Sequence, residues 1–101
     1  MVTNSAINTA KSLVDSLAER LPEGRAEQFG VFIAVGELEE LAYGLIGTLR
    51  KYGIAVTPAE HDLLRALLYS FDLPMPNYPL LSKRDQYLAE LAVRDGPASA
   101  G

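Results

Sequence analysis

Apolar residues recur at three- and four-residue steps through the first part of the chain, which is the spacing of one face of an α-helix. The segment predicted to be helical starts after Thr3 or Asn4, whose side chains can cap its first turn, and reaches about Arg20. Its apolar positions are Ile7, Ala10, Val14, Leu17 and Leu21. The residues of the opposite side are Lys11, Asp15 and Glu19. The pattern predicts an amphipathic first helix, ended by the proline and glycine of residues 22–24.

Residues 25–35 allow two interpretations. Phe29, Val31 and Phe32 suit a β-strand, and periodicity alone does not separate a short buried helix from a buried strand. The helix formers of residues 25–28 and the lack of an obvious partner strand favour a helix. We therefore predict a second helix from about Arg25 to Val35.

A third helix is predicted to follow the break at Gly36 and to run to about Tyr52. Its expected core stripe is Leu38, Leu41, Ala42, Leu45, Leu49 and Tyr52. Gly44 and Gly47 weaken this helix but would allow another helix to approach it closely.

The start of the fourth helix is the best-defined boundary in the sequence. Gly53 ends the third helix, residues 54–56 form a short extended connector, and Thr57 and Glu60 are spaced as a capping box around Pro58. The fourth helix is thus predicted to begin at Pro58. Its apolar face is Leu63, Leu64, Leu67, Leu68 and Phe71.

The last part of the chain combines a proline-rich loop with a fifth helix. Three prolines in residues 72–79 disfavour a helix and predict an ordered extended loop. The fifth helix is expected from about Ser82 to Val93, with Ser82 as its cap and Leu88, Leu91 and Ala92 facing inward. Residues 96–101 are expected to be a flexible tail. The whole pattern predicts an all-α, single-domain bundle of four to five helices over residues 1–95.

Composition and charge narrow the possible functions. A chain of 101 residues, 49% of them hydrophobic and 22% charged, fits one globular domain, and the lack of cysteine excludes disulfides and thiolate metal sites. Nine Lys and Arg residues against thirteen Asp and Glu residues give a net charge of −4. This balance argues against binding to nucleic acid or to an anionic membrane surface. The apolar runs are short, and the N-terminus lacks a signal-peptide pattern, so a cytoplasmic protein is expected.

The sequence offers no arrangement of residues typical of catalysis. His61 is the only histidine, and its position in the first turn of a capped helix predicts an exposed side chain with a structural or surface role. The glycines do not have the spacing of a phosphate-binding loop. An enzyme is therefore the least favoured class, and we expect no catalytic residue, cofactor or metal.

Acidic and aromatic residues around the third helix are candidates for partner contacts. Glu37, Glu39 and Glu40 lie where acids complement the helix macrodipole, but the same patch can contact a basic partner. Tyr43 lies about a quarter-turn off the leucine stripe, and Tyr78 lies in the proline-rich loop. Each tyrosine can either pack against the core or serve as an exposed anchor at an interface.

The stretch from about residue 31 to residue 73 resembles the MafI-type and similar small helical immunity proteins of bacterial polymorphic toxin systems. The resemblance consists of a Gly-Glu entry into a helix with an Ala-Leu-type core, a short extended piece and a Thr-capped, leucine-dense helix. The matching positions are Gly36, Glu37, Leu41, Ala42, Leu49, Tyr52, Ile54, Thr57, Glu60, Leu64 and Leu68. The resemblance implies a non-catalytic inhibitor that binds a cognate toxin domain and blocks it.

On this hypothesis acidic side chains pair with Lys or Arg of a basic toxin domain, and tyrosines act as anchors. The expected contact residues are Glu39, Glu40, Tyr43, Asp62 and Tyr78. The alternative is a small helical adaptor or homodimeric regulatory module that uses its leucine-rich helices or its proline-rich loop. The sequence leaves open whether the protein is a monomer or a homodimer.

Overall fold

Five α-helices form the fold in the computed structural model, which describes residues 4–72 and 76–94. Helix α1 spans Asn4–Leu17, α2 Arg25–Ala34, α3 Leu38–Lys51, α4 Pro58–Tyr69 and α5 Arg84–Glu90. Two 3₁₀ turns, Ala18–Arg20 and Pro79–Lys83, extend α1 and precede α5. In the described residues the only extended pairing is an isolated parallel bridge between Val56 and Val93. The predicted all-α class is confirmed, whereas the predicted cap at Thr3 and the tail of residues 96–101 lie outside the described residues.

The helix boundaries agree with the sequence prediction over the first four helices. Residues 25–34 are helical, so the strand interpretation of this segment is wrong. At the start of α4 the Thr57 hydroxyl accepts a hydrogen bond from the Glu60 N–H at 3.1 Å, and Glu60 Oε1 accepts one from the Thr57 N–H at 2.8 Å. The predicted capping box is therefore present. Gly36 lies just after α2 and Gly53 just after α3. Their φ angles of +76° and +61° belong to a backbone conformation that favours glycine.

The fifth helix is shorter than predicted at both ends. Ser82 does not cap it, because its hydroxyl donates a hydrogen bond to the Pro79 carbonyl within the preceding 3₁₀ turn. After Glu90 the chain becomes extended, and the Val56 N–H donates to the Ala92 carbonyl at 2.9 Å. Ala92 is exposed and does not face the core as predicted, because it lies in this extended segment.

Most leucines of the core belong to the predicted helical stripes, while Leu13 and Leu81 are buried without having been predicted. Helix α1 packs against α2 and α4, and α2 packs against α3. The largest fully buried side chains in the described residues are Leu13, Leu17, Phe29, Leu38, Leu41, Leu45, Leu49, Leu64, Leu67, Leu68, Leu81 and Glu60. A β-carbon placed on Gly44 would lie 3.2 Å from Cε1 of Phe29, so this glycine allows the phenyl ring of α2 to approach α3 closely, as predicted for that position.

Tyr52 does not belong to the core stripe, since it is 50% exposed. Helix α3 ends at Lys51, and the Ile54 N–H donates to the Leu49 carbonyl at 3.0 Å across the end of the helix. Ile54 packs against the core after this turn. Tyr52 thus remains at the surface, where the Lys51 ammonium lies 5.5 Å from the centre of its ring.

Glu60 is the buried acid that ties α4 to α1. Its side chain is 2% exposed, and its carboxylate accepts hydrogen bonds from Ser16 and from the guanidinium of Arg20, which also forms an ion pair with it. Burial alone would raise the pKa of Glu60, but the hydrogen bonds from Arg20, Ser16 and the Thr57 N–H, with the Arg20 charge, lower it to about 2. Glu60 therefore belongs both to the capping box of α4 and to a charge pair with Arg20.

Candidate partner-binding surface

The first turn of α3 and the residue Tyr78 meet at the surface of the protein. The Tyr78 hydroxyl donates a hydrogen bond to Oε1 of Glu40 at 2.5 Å. The rings of Tyr43 and Tyr78 lie 6.1 Å apart, with their planes inclined by 57°, an arrangement typical of favourable aromatic pairs. We call Glu39, Glu40, Tyr43 and Tyr78 the acidic–aromatic surface. It unites four of the five contact residues that the sequence predicted.

Helical spacing explains the position of the α3 residues. Glu40 and Tyr43 are three positions apart and so lie on the same side of the helix. Leu41 and Ala42 turn away from this side and are fully buried. Tyr78 reaches the same side from the segment just before the 3₁₀ turn that begins at Pro79, and its ring packs partly against the core.

The acidic side chains around Tyr78 change the chemistry of its hydroxyl. The hydrogen bond to Glu40, the partial burial of the ring, and the negative charges of Glu40, Glu37 and Glu39 raise the pKa of Tyr78 to about 12. The Tyr78 hydroxyl therefore keeps its proton and remains a donor to Glu40. This hydrogen bond restricts the position of the Glu40 carboxylate next to Tyr78, whose ring contacts that of Tyr43.

The acidic–aromatic surface is accessible enough to contact another molecule. Tyr43 is 45% exposed, while Glu39, Glu40 and Tyr78 are half-buried. Carboxylates that adjoin an exposed tyrosine ring can bind a Lys or Arg side chain through an ion pair and a cation–π contact together. Half-buried carboxylates also lose less side-chain entropy on binding than fully mobile ones.

Asp62, the fifth predicted contact residue, is not part of this surface. It lies in α4, is exposed, and takes part in none of the contacts that join Glu40, Tyr43 and Tyr78. Asp62 was included among the predicted contact residues only because it is acidic.

The prediction of an exposed His61 is wrong. Its ring is half-buried, and Nε2 lies 2.9 Å from the Leu88 carbonyl oxygen of α5. Arg84 holds α5 to α4 in a similar way, because its guanidinium donates to the carbonyls of Leu68 and Phe71. These contacts depend on where α5 packs, which the helical periodicity of α4 does not reveal.

Sequence reasoning also missed a positively charged groove beside the C-terminal half of α3. Its volume is about 350 Å³, and we call it the basic groove. Its lining residues include Arg25, Gly47, Arg50, Lys51, Tyr52 and Tyr87, and Tyr43 stands between it and the acidic–aromatic surface. Arg50 and Lys51 are adjacent in the sequence, but Arg25 joins them only because α2 packs beside α3.

Residues 4–72 and 76–94 contain neither a candidate metal centre nor a candidate membrane-spanning helix. In this part of the chain no three His, Asp or Glu side chains converge in a way that could hold a metal ion. None of its helices combines the length and the apolar character needed to span a bilayer. Comparison of the chain with protein families, with curated proteins and with solved structures finds no match.

Proposed function

We propose that this protein is a non-catalytic immunity protein, which binds a basic toxin domain and neutralises it by protein–protein contact. The observation that carries the proposal is the assembly of Glu40, Tyr43 and Tyr78 into one surface, with Glu39 beside them. The resemblance of residues 31–73 to small immunity proteins supplies the class of partner.

Charge supports a basic partner. The chain has a net charge of −4, and three acids lie at the start of α3. Complementary charges accelerate the encounter of two proteins and help to fix their relative orientation. A basic toxin domain is therefore attracted to the end of α3 that the acidic–aromatic surface occupies.

The geometry of the surface suggests a role for each of its residues. Glu39 and Glu40 pair with Lys or Arg side chains of the toxin, and Tyr43 provides the apolar anchor. Tyr78 positions Glu40 through their hydrogen bond and adds its ring to the anchor. Asp62 lies on another helix and contributes only if the interface extends across α4.

The size of the protein is sufficient for a stable interface. A standard protein–protein interface buries about 800 Å² on each partner. The described chain exposes 6008 Å², so roughly an eighth of its surface is required. We also propose the cytoplasmic location that the sequence predicts, where the protein would meet a toxin before export.

Co-expression with toxin candidates tests this proposal. The gene of this protein would be expressed together with toxin genes encoded beside it, and growth of the host cells would be measured. We expect growth to be rescued and a one-to-one complex to be isolated by size-exclusion chromatography. If no neighbouring product is toxic or bound, and the mass of the protein rises with concentration, the homodimeric regulatory module is favoured instead.

A further inference from the structure

The basic groove has the size and the concave shape of a small-molecule site. Its volume of about 350 Å³ falls within the range typical of ligand pockets. It lies between the C-terminal half of α3, the start of α2 and the segment of residues 81–87. It adjoins the acidic–aromatic surface at Tyr43, which belongs to both, and the other residues of that surface do not line the groove.

The charge of the groove is unexpected in an acidic chain. Arg25, Arg50 and Lys51 are three of the nine Lys and Arg residues of the sequence, and no described Asp or Glu lines the groove. Arg50 and Lys51 complement the negative end of the α3 macrodipole. Arg25 occupies the first position of α2, where the macrodipole disfavours a cation, so helix stability does not explain its charge.

One acid, Glu90, does not line the groove but pairs with Arg50, one of its cations. Its Oε1 lies 3.4 Å from the guanidinium of Arg50, and the two side chains are 43% and 48% exposed. An exposed pair of this kind is weak and is easily replaced by a second anion. The Arg50 guanidinium also lies 4.7 Å from the centre of the ring of Tyr87, another residue that lines the groove, which is a cation–π contact.

The walls of the groove offer aromatic surface. Tyr43 and Tyr52 both line it, and they are 45% and 50% exposed. Exposed tyrosine rings are platforms on which a planar heterocyclic ring can stack. Cations close to such rings favour a ligand that carries a phosphate and a planar ring in the same molecule.

A glycine keeps the middle of the groove open. Gly47 is an exposed residue within α3, and a β-carbon placed on it would meet no atom within 4 Å. Glycine destabilises a helix relative to alanine. Close packing against Phe29 explains the glycine at position 44, but no neighbouring atom explains the one at position 47. The space that it leaves is part of the groove itself.

We propose that the basic groove binds a nucleoside monophosphate. The phosphate is bound by the cationic side chains of Arg25, Arg50 and Lys51, and the base stacks on an exposed tyrosine ring. The sequence has no phosphate-binding loop, so in this site the side chains, and not backbone amides, bind the phosphate. This inference does not depend on the proposed immunity function, because it concerns the isolated chain.

Nuclear magnetic resonance of the ¹⁵N-labelled protein tests the inference. AMP, GMP, CMP and UMP would each be added, with adenosine and inorganic phosphate as partial ligands. We expect at least one nucleotide to shift the amide signals of Gly44, Gly47 and Lys51 in a saturable way. Adenosine and phosphate alone should bind at least about tenfold more weakly, since each makes only part of the contacts. The proposal is overturned if all four nucleotides leave these signals unchanged, or if phosphate alone binds as tightly.

Two matched pairs of variants separate the groove from the rest of the surface. Gly47→Leu fills the groove, whereas Gly30→Leu changes another exposed helical glycine with open space around it, outside the groove. Lys51→Glu reverses a charge in the groove, and Lys11→Glu reverses one on α1. Gly47→Leu and Lys51→Glu should weaken nucleotide binding at least about tenfold, and the two controls should leave it unchanged. Equal effects of both members of either pair would contradict the proposal.

Discussion

The hydroxyl of Tyr78 donates a hydrogen bond to Oε1 of Glu40 at 2.5 Å, which joins the segment after α4 to the first turn of α3. The two residues are 38 positions apart in the sequence. The Tyr43 ring contacts the Tyr78 ring. Glu40, the half-buried Tyr78 and the exposed Tyr43 therefore form one continuous surface. This contact turns separate candidate residues into a single candidate interface.

Removing the charge of Glu40 should lower the pKa of Tyr78. In the folded protein the hydrogen bond to Glu40, the partial burial of the ring and the nearby acids hold this pKa at about 12. A group with a raised pKa contributes stability that is present below its unfolded value of 10.0 and is lost as the pH rises through the folded value. In Glu40→Gln we therefore expect Tyr78 to titrate closer to pH 10, measured by ultraviolet absorbance of tyrosinate.

The control for this titration is Glu19→Gln, which removes an exposed acid outside the acidic–aromatic surface. A Tyr78→Phe variant identifies the absorbance change that belongs to Tyr78. Identical high-pH titrations of the parent protein and Glu40→Gln would show that the hydrogen bond does not form in solution.

The buried charge pair should make the protein sensitive to acid. The pKa of Glu60 is lowered from 4.5 to about 2, so the native state holds this proton less tightly than the unfolded state. The stabilisation is fully present above about pH 4.5 and is lost as the pH falls toward 2. The pKa shift of Glu60 corresponds to a stabilisation on the order of 2 kcal/mol, once it is reduced for solvent screening of the pair. The screening arises because the Arg20 side chain is 23% exposed. Urea denaturation at pH 7, 5 and 3 measures this dependence.

Glu60→Gln tests the assignment of this acid sensitivity. The variant leaves Arg20 without its anionic partner, and we expect a loss of about 2 kcal/mol at pH 7. It should also show a smaller decline in stability between pH 5 and pH 3 than the parent protein. Glu19→Gln serves again as the exposed control. An unchanged decline in Glu60→Gln would assign the acid sensitivity to other carboxylates.

Gly44 and Gly47 on α3 should respond oppositely to alanine. At Gly47 the added β-carbon meets open space, so the gain in helix propensity of about 1 kcal/mol is available. At Gly44 it would lie 3.2 Å from the ring of Phe29, which is 1% exposed and has little room to move. We expect Gly47→Ala to raise the free energy of unfolding and Gly44→Ala to lower it. Thermal unfolding of both variants provides the comparison, and equal gains would show that the ring can shift.

The bridge between Val56 and Val93 should stabilise the C-terminal part of the fold. The Val56 N–H donates to the Ala92 carbonyl, and the Arg94 N–H donates to the Val56 carbonyl, both at 2.9 Å. Truncation after Leu91 removes both bonds and uncovers Val56, which is fully buried. We expect a loss of about 1–3 kcal/mol in the free energy of unfolding. Truncation after Arg94 retains the bridge and is the matched control, so equal losses in the two proteins would contradict this role.

Local patterns in the sequence predicted most of the fold. The capping box of Thr57 and Glu60, the glycines that end α2 and α3, and the leucine stripes each depend on neighbours within one helix. The end of α5 was not predictable in this way, because Ala92 and Val93 leave the helix to pair with Val56, far away in the sequence. Tyr52 was misplaced for a different reason, because the local turn at the end of α3 takes it off the helical stripe and brings Ile54 to the core instead.

The candidate surface was predictable only as a list of residue types. Charge and aromatic character selected Glu40, Tyr43 and Tyr78, but their contact arises from tertiary packing. For the same reason the sequence did not reveal that Asp62 lies away from this surface, on α4. Nor did it reveal that the packing of α2 brings Arg25 into the basic groove.

The affinity of the purified protein and its variants for a co-expressed toxin domain tests the central claim most directly. Glu40→Lys reverses a charge in the acidic–aromatic surface, Tyr43→Ala removes the exposed ring, and Glu19→Lys reverses an exposed charge elsewhere. We expect the first two variants to weaken binding by about tenfold or more and to abolish growth rescue, while Glu19→Lys retains both. A toxin complex that forms with unchanged affinity in Glu40→Lys and Tyr43→Ala would contradict the assignment of this surface.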